Sequence, residues 1–264
     1  MKRKVTLIVL FFTVLVLLNG CTNKEVSNET SKENNDEVEL MVSAAISLSD
    51  ALDEIKTKYE ADHNVSLTFN LGSSGKMAQQ IQQGAPSDIF ISANQDWMDR
   101  LEDDGDIDVN SRIDLTGNTI VLITANHSDI DIQSLSDIDE YDFDQIAVGN
   151  PESVPAGKYT EQALMKLDLW KDLEDDIILA KDVRQVLTYV ETGNADIGFV
   201  YESDALSSDK VMITTEAESD MHDPIIYPGA IVEDSDHKEE AKEFLDYMST
   251  DEAQDILEKH GFNK

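Results

Sequence analysis

The chain has 264 residues, with 55 acidic against 20 basic side chains and a formal net charge of −35. A field of that sign repels nucleic acid and anionic membrane faces, which excludes both as partners held by charge. The single cysteine, Cys21, excludes an internal disulfide, so a folded domain must be held by its apolar core.

The chain opens with Lys2, Arg3 and Lys4, followed by an uncharged, strongly apolar run from Val5 to Leu18. That run is short for a membrane span and suits the core of a signal peptide. It ends in "LNGC", where small Gly20 precedes Cys21, a pattern that resembles the bacterial lipobox. The expectation is a signal peptide over residues 1–20, cleavage before Cys21 and lipidation of its thiol. An ordinary signal peptide with an incidental cysteine and an uncleaved anchor are the alternatives. Residues 21–37 carry almost no apolar side chains and read as a disordered tether.

Strand and helix patterns then alternate. "VELMVSAA" reads as a strand, and Leu48, Leu52, Ile55 and Tyr59 share one face of the helix that follows, with Ser47 and Ser49 as possible N-caps. "VSLTFNL" alternates, a helix runs from about Gly75 to Gln83 with Gly84 as its stop, and "DIFISA" reads as a buried strand. This βαβαβ grammar predicts a parallel sheet with helical crossovers. "NTIVLIT" and "QIAVG" begin a second such region. Pro155 opens its first helix; Val183, Val186, Leu187 and Val190 form the core face of another, stopped by Gly193; "ADIGFVY" adds a strand. After "IIYPGAIV" come two closing helices, the first with Ala241, Phe244, Leu245 and Met248 on one face. Two regions of this kind predict two α/β lobes with a cleft between them, its ligands at the strand-to-helix turns.

Those turns read "SAAISLSD", "NLGSSGKM", "ISANQDW", "NPESVPAGKY" and "AKDVRQV". They hold small neutral residues and no paired carboxylates, and helix N-termini meeting in a cleft favour an anion. Ser47 and Ser74 can add hydroxyl donors there, or serve only as caps. "GSSGK" is not a P-loop, because Asn70 stands where the first glycine belongs and Met77 follows Lys76. Nor is it a hydrolase elbow, since Gly72 and Gly75 are one residue too close for G-x-S-x-G. His63, His127, His222, His237 and His260 form no H-x-x-x-H pair, and no EF-hand spacing occurs.

The motifs "AAISLSDAL", "GSSGKMAQQIQQGAPSDIFISA", "GNPESVPAGKYTEQAL", "AKDVRQVLTYVETGNADIGFVYESDA" and "YPGAIV", in this order, resemble the molybdate-binding proteins of bacterial ABC importers. The likeness spans about Glu39 to Phe262. It implies a two-lobed type II solute-binding fold, α/β in class, each lobe a mostly parallel sheet flanked by helices. The lobes would take residues 38–120 plus 228–264 and residues 121–227. It also implies oxyanion contacts at Ser47, Ser74, Ala156, Val183 and Tyr201, with Ala156 and Val183 donating through backbone N–H and Tyr201 through its phenol. Molybdenum would enter only as the oxyanion, with tungstate as a second ligand. No cofactor and no catalysis are expected, and the partner would be an ABC permease served by a lipid-anchored monomer outside the cytoplasm. Sulfate or phosphate on the same fold, and an exported hydrolase using Ser73 or Ser74, are the rival readings. Lys76, Lys158 and Arg184 flank these contacts; the sequence leaves open whether they face the cleft or solvent, solvent being the default on first turns of helices.

Overall fold

The structure, a computed structural model, describes residues 37–263. The signal peptide, Cys21 and all but the last residue of the tether lie outside the described residues.

The elements run β1 (Val38–Ala45), α1 (Ser49–Asp62), β2 (Val65–Gly72), α2 (Ser74–Gln82), β3 (Ile89–Ile91), α3 (Gln95–Asp104), β4 (Ile113–Gly117), β5 (Ile120–Ala125) and β6 (Ile146–Gly149). They continue through α4 (Pro155–Lys166), α5 (Trp170–Leu173), β7 (Ile177–Ala180), α6 (Val183–Glu191), β8 (Ile197–Tyr201), α7 (Glu202–Leu206) and β9 (Val211–Glu216). They close with β10 (Ile226–Ile231), α8 (Lys238–Met248) and α9 (Asp251–Lys259). Gly84 and Gly193, expected as helix stops, hold φ of 78° and 68° just beyond α2 and α6, a conformation that costs glycine little.

Two five-stranded sheets form, in the orders β2-β1-β3-β10-β4 and β7-β6-β8-β5-β9. β1 pairs in parallel with β2 and β3, whereas β10 is antiparallel to β3 and β4. The second sheet repeats the scheme, with β6 parallel to β7 and β8, and β5 antiparallel to β8 and β9. In each sheet one strand, fourth in the row, runs against the other four. Those two reversed strands are also the first after each crossing between sheets, through residues 118–119 and residues 217–225. Ile120 therefore belongs to the second sheet, and Ile226 and Tyr227 to the first.

The alternation of the strands decides how helices cover the first sheet. Ile89 and Ile91 point with Leu40, Val42 and Ala44 into the core shared by Leu52, Ile55, Phe244 and Leu245 of α1 and α8. Phe90 points the other way, onto Met77, Ile81, Met98 and Leu101 of α2 and α3. All nine of these side chains from the first set and the five of the second are buried. Full burial of an aliphatic side chain is worth roughly 1.5–3 kcal/mol, so this two-sided cover is what holds the strands' carboxyl ends in place. In the second sheet Val186, Leu187 and Val190 of α6 pack in the same manner, and all three are buried. Among the described residues, no helix is long and apolar enough to cross a membrane.

Candidate functional site

The carboxyl ends of strands from both sheets face one another across a small pocket. It is lined by Ser47, Ser73 and Ser74 with Ala93 from the first sheet's turns, and by Pro155, Ala156, Val183 and Tyr201 from the second's, among others. All five residues singled out from the motifs line it, and no charged residue does.

Ser47 and Ser74 are not caps. α1 is preceded by a single 3-10 turn, Ile46–Leu48, its N-cap is Leu48, and no side chain caps it. α2 begins at Ser74 itself after Ser73, again with no side-chain cap bond. The capping reading of Ser47, Ser49 and Ser74 is thereby corrected. The Ser74 hydroxyl oxygen instead accepts the Ala93 N–H at 2.9 Å, which leaves its own hydrogen to be directed into the pocket. Ser47 Oγ lies 2.9 Å from the Tyr227 hydroxyl, a partner that nothing in the turn motifs signals. Both serines are buried, at 3% and 0% exposure.

The opposite wall is built from backbone. Pro155 occupies the first position of α4 and has no N–H, so the first amide of that helix belongs to Ala156. α6 is capped by Asp182, whose side chain accepts the Gln185 N–H at 2.8 Å, and Val183 follows as the first helical residue. The first amides of a helix have no intrahelical acceptor, so Ala156 and Val183 each present an N–H at a helix's positive end. Tyr201 closes the wall from the end of β8, where its hydroxyl donates to the Ala93 carbonyl of the other lobe at 3.4 Å. Burial pushes the phenol pKa of Tyr201 well above its usual value, so it remains a protonated donor at neutral pH.

The two walls touch. The Gly75 N–H donates to the Ser153 carbonyl at 3.1 Å, which bonds the start of α2 to the loop before α4. A Cβ on Gly75 would lie 2.7 Å from that carbonyl and 2.6 Å from the Trp97 ring, so the second glycine of "GSSGK" is what lets the lobes approach this closely. The pocket between the walls is small, with an empty volume of ≈ 210 Å³.

Two ion pairs flank the pocket and place Lys158 and Arg184, whose direction the sequence leaves open. Lys158 of α4 pairs with Asp96 on the first turn of α3. Arg184 of α6 pairs with Asp50 on the first turn of α1 at 2.5 Å, and its Nε lies 2.7 Å from Asp204 Oδ1 in its own lobe. Asp204 is fully buried. Burial pushes its carboxyl up to about 7, against the pull of Arg184. Lys76 is exposed. No group of three or more metal-ligating side chains occurs among the described residues.

The signals missed in the sequence were the partners of the predicted groups. Ala93, Asn118, Tyr227 and Asp204 lie far along the chain from the residues they touch, and only the fold brings them together. Tyr227 lies in "YPGAIV", where nothing in the sequence signals a role for its hydroxyl.

Comparison with known proteins agrees with this architecture. Residues 40–263 match the family described as bacterial extracellular solute-binding protein. YvgL of Bacillus subtilis (strain 168), a candidate ABC transporter substrate-binding lipoprotein, is 46% identical over 263 residues, covering 99% of each chain. The molybdate-binding protein ModA of Escherichia coli (strain K12) is 38% identical over 231 residues, 86% of this chain and 90% of its own. The periplasmic molybdate-binding protein of Azotobacter vinelandii has the same fold, with a TM-score of 0.78 at 24% identity over 85% of this chain and 99% of its own. The resemblance drawn from the motifs and the two-lobed α/β fold both stand, and the family carries solutes as ligands and is not a family of enzymes. From its fold, its matched length and its relatives, this chain belongs to the bacterial extracellular solute-binding protein family.

Proposed function

We propose that this chain binds molybdate, and tungstate with it, in the pocket between the lobes and hands it to an ABC permease. The reading is carried by one observation: Ser47, Ser74, Ala156, Val183 and Tyr201, drawn from both sheets, line a pocket that contains no charged side chain. A fully ionised tetrahedral oxyanion has acceptors only, and a wall of oriented neutral donors suits it without a countercharge. The relative named as a molybdate-binding protein at 38% identity supports the choice of ion. Tungstate follows because its size and charge are nearly those of molybdate, so donors at fixed positions cannot tell them apart. Sulfate is smaller, and its oxygens would leave some of these donors with long or unmade bonds.

The residues partition into a lobe built on β1–β4, β10, α8 and α9 and a lobe built on β5–β9, joined at residues 118–119 and 217–225. Cys21 would carry the lipid that holds a monomeric receptor at the extracytoplasmic face of the cell membrane, a reading supported by the lipoprotein designation of the Bacillus subtilis relative. Titration calorimetry of the purified chain with molybdate, tungstate, sulfate and phosphate tests the ligand. Molybdate and tungstate are expected to bind at least tenfold more tightly than the other two, a difference of about 1.4 kcal/mol. Tight sulfate or phosphate binding without a response to molybdate would overturn the assignment.

A further inference from the structure

Asn118 is the first residue of the short crossing between the lobes, and it is 6% exposed. Its Oδ1 accepts the Thr119 N–H at 2.9 Å, which fixes the amide and turns its nitrogen the other way. Nδ2 then donates to Ser203 Oγ at 2.9 Å and to the Tyr227 hydroxyl at 3.4 Å, which uses both of its hydrogens. The Tyr227 oxygen is thus an acceptor toward Asn118. Its own hydrogen is assigned to Ser47 Oγ at 2.9 Å; the Tyr201 hydroxyl also lies beside it but is committed as a donor to the Ala93 carbonyl. Tyr227 is fully buried, and burial keeps its phenol protonated well beyond neutral pH. Ser47 Oγ therefore receives a hydrogen bond, and its own O–H is left to point into the pocket that Ser47 lines.

The geometry points to Asn118 and Tyr227 as positioning residues that lock the Ser47 hydroxyl as a donor to the ligand. The inference rests on the reading of Ser47 as a ligand contact. It deepens that reading, because a hydroxyl alone can donate or accept and so does not discriminate between ligands. With the chain running amide to phenol to hydroxyl in one direction, one lone pair of Ser47 is taken and its hydrogen is free, so Ser47 is disposed to donate. An oxyanion whose oxygens all accept is satisfied there. A hydrogen phosphate that turns its P–OH to Ser47 meets a second donor and leaves a buried hydrogen unpaired. Donors arranged in series also polarise one another, which strengthens the last bond in the chain. The site's preference for fully deprotonated tetrahedral anions would therefore be set by two residues that do not touch the anion.

The test is a set of calorimetric titrations of the purified full-length chain with sodium molybdate and with inorganic phosphate, on the wild type, Ser47→Ala, Tyr227→Phe, Asn118→Asp and the doubles with Ser47→Ala. Ser47→Ala is expected to weaken molybdate binding about tenfold. Unchanged affinity in that single variant would remove Ser47 from the site and overturn the ligand-contact reading itself. Tyr227→Phe is expected to weaken binding severalfold when Ser47 is present and to add no further loss when it is absent. An equal loss in both backgrounds would show that Tyr227 acts only through packing and would overturn the positioning role while leaving Ser47 in place. Should Tyr227→Phe fail to fold, the isosteric Asn118→Asp answers the same question. Its carboxylate draws the Tyr227 hydrogen, so Ser47 must donate to Tyr227 and offer lone pairs to the pocket. Molybdate binding should then fall about tenfold or more, become insensitive to Ser47→Ala, and lose ground relative to phosphate. A molybdate-to-phosphate affinity ratio equal to that of the wild type would show only added negative charge and overturn the inference.

Discussion

The two walls of the pocket reach the same end by different chemistry. The first lobe offers the hydroxyls of Ser47 and Ser74, each tied from behind, by Tyr227 and by the Ala93 N–H. The second offers the leading amides of α4 and α6, with Tyr201 as its one side-chain donor. A hydroxyl must be oriented by a partner before it can be relied on as a donor, whereas a helix-terminal amide is oriented by the backbone itself. The first wall should therefore be sensitive to side-chain truncation and the second only to changes that alter the main chain.

The sharpest break in that comparison is Ala156→Pro, which deletes an amide at the start of α4. It is expected to cost about 3 kcal/mol of molybdate affinity, the upper range for a hydrogen bond to a charged group, while Ala156→Ser should be nearly neutral. Calorimetry on the pair checks this; a comparable loss in both would mean that the Ala156 side chain, and not its amide, matters. Gly75→Ala should follow at about 2 kcal/mol, since overfilling a tight contact costs 1–3 kcal/mol and this Cβ would meet the Ser153 carbonyl of the opposite wall at 2.7 Å. Small-angle scattering with saturating molybdate should then show lobes that remain further apart than in the wild type. Ser74→Ala should cost about 1.5 kcal/mol, and no change in affinity would remove its hydroxyl from the first wall.

Smaller effects are expected outside the pocket. Lys158→Gln breaks the pair with Asp96, both partly exposed, and should weaken binding by less than about 1 kcal/mol at low salt, with the difference disappearing as salt is added. Asp204→Asn should alter affinity least and show itself in thermal melts. The Asp204 carboxyl titrates near 7 when folded, against an ordinary 3.8, so the folded chain holds a proton that the unfolded chain has released between those values. Its contribution to stability is present below about pH 4 and is lost as pH rises toward 7. The variant should lack that decline, so its stability relative to wild type should rise over this interval; parallel pH profiles would contradict the assignment.

How much of this was legible follows the same division. The strands found by pattern, such as β1, β3, β5 and β8, are buried and strongly apolar. β4, β7 and β9 were not identified, and all three are edge strands. β7 and β9 leave Leu179, Met212 and Ile213 exposed, so the alternation that marks a half-buried strand is blurred there. The serines of the first wall could be suspected from composition, although whether they cap or donate depended on Ala93 and Tyr227. Ala156 and Val183 entered only through family resemblance, because a backbone donor leaves no mark on residue type; by pattern Val183 is a core residue, and it is indeed buried. Whether Lys158 and Arg184 face cleft or solvent was not legible, because a first-turn position looks outward when the opposing lobe is not in view.

The absence of charge from the pocket, on a chain whose formal net charge is −35, has a kinetic consequence. An incoming dianion is repelled by the far field and finds no cation in the pocket to draw it through the last few ångströms. Its encounter rate should accordingly rise with ionic strength, as the Debye length shrinks to ~10 Å at 0.1 M, opposite to the behaviour of receptors that steer anions with positive clefts. Its rate of escape, set by the parting of two donor walls, should respond to salt far less. For this receptor, salinity would then govern how soon the anion is captured more than how long it is kept.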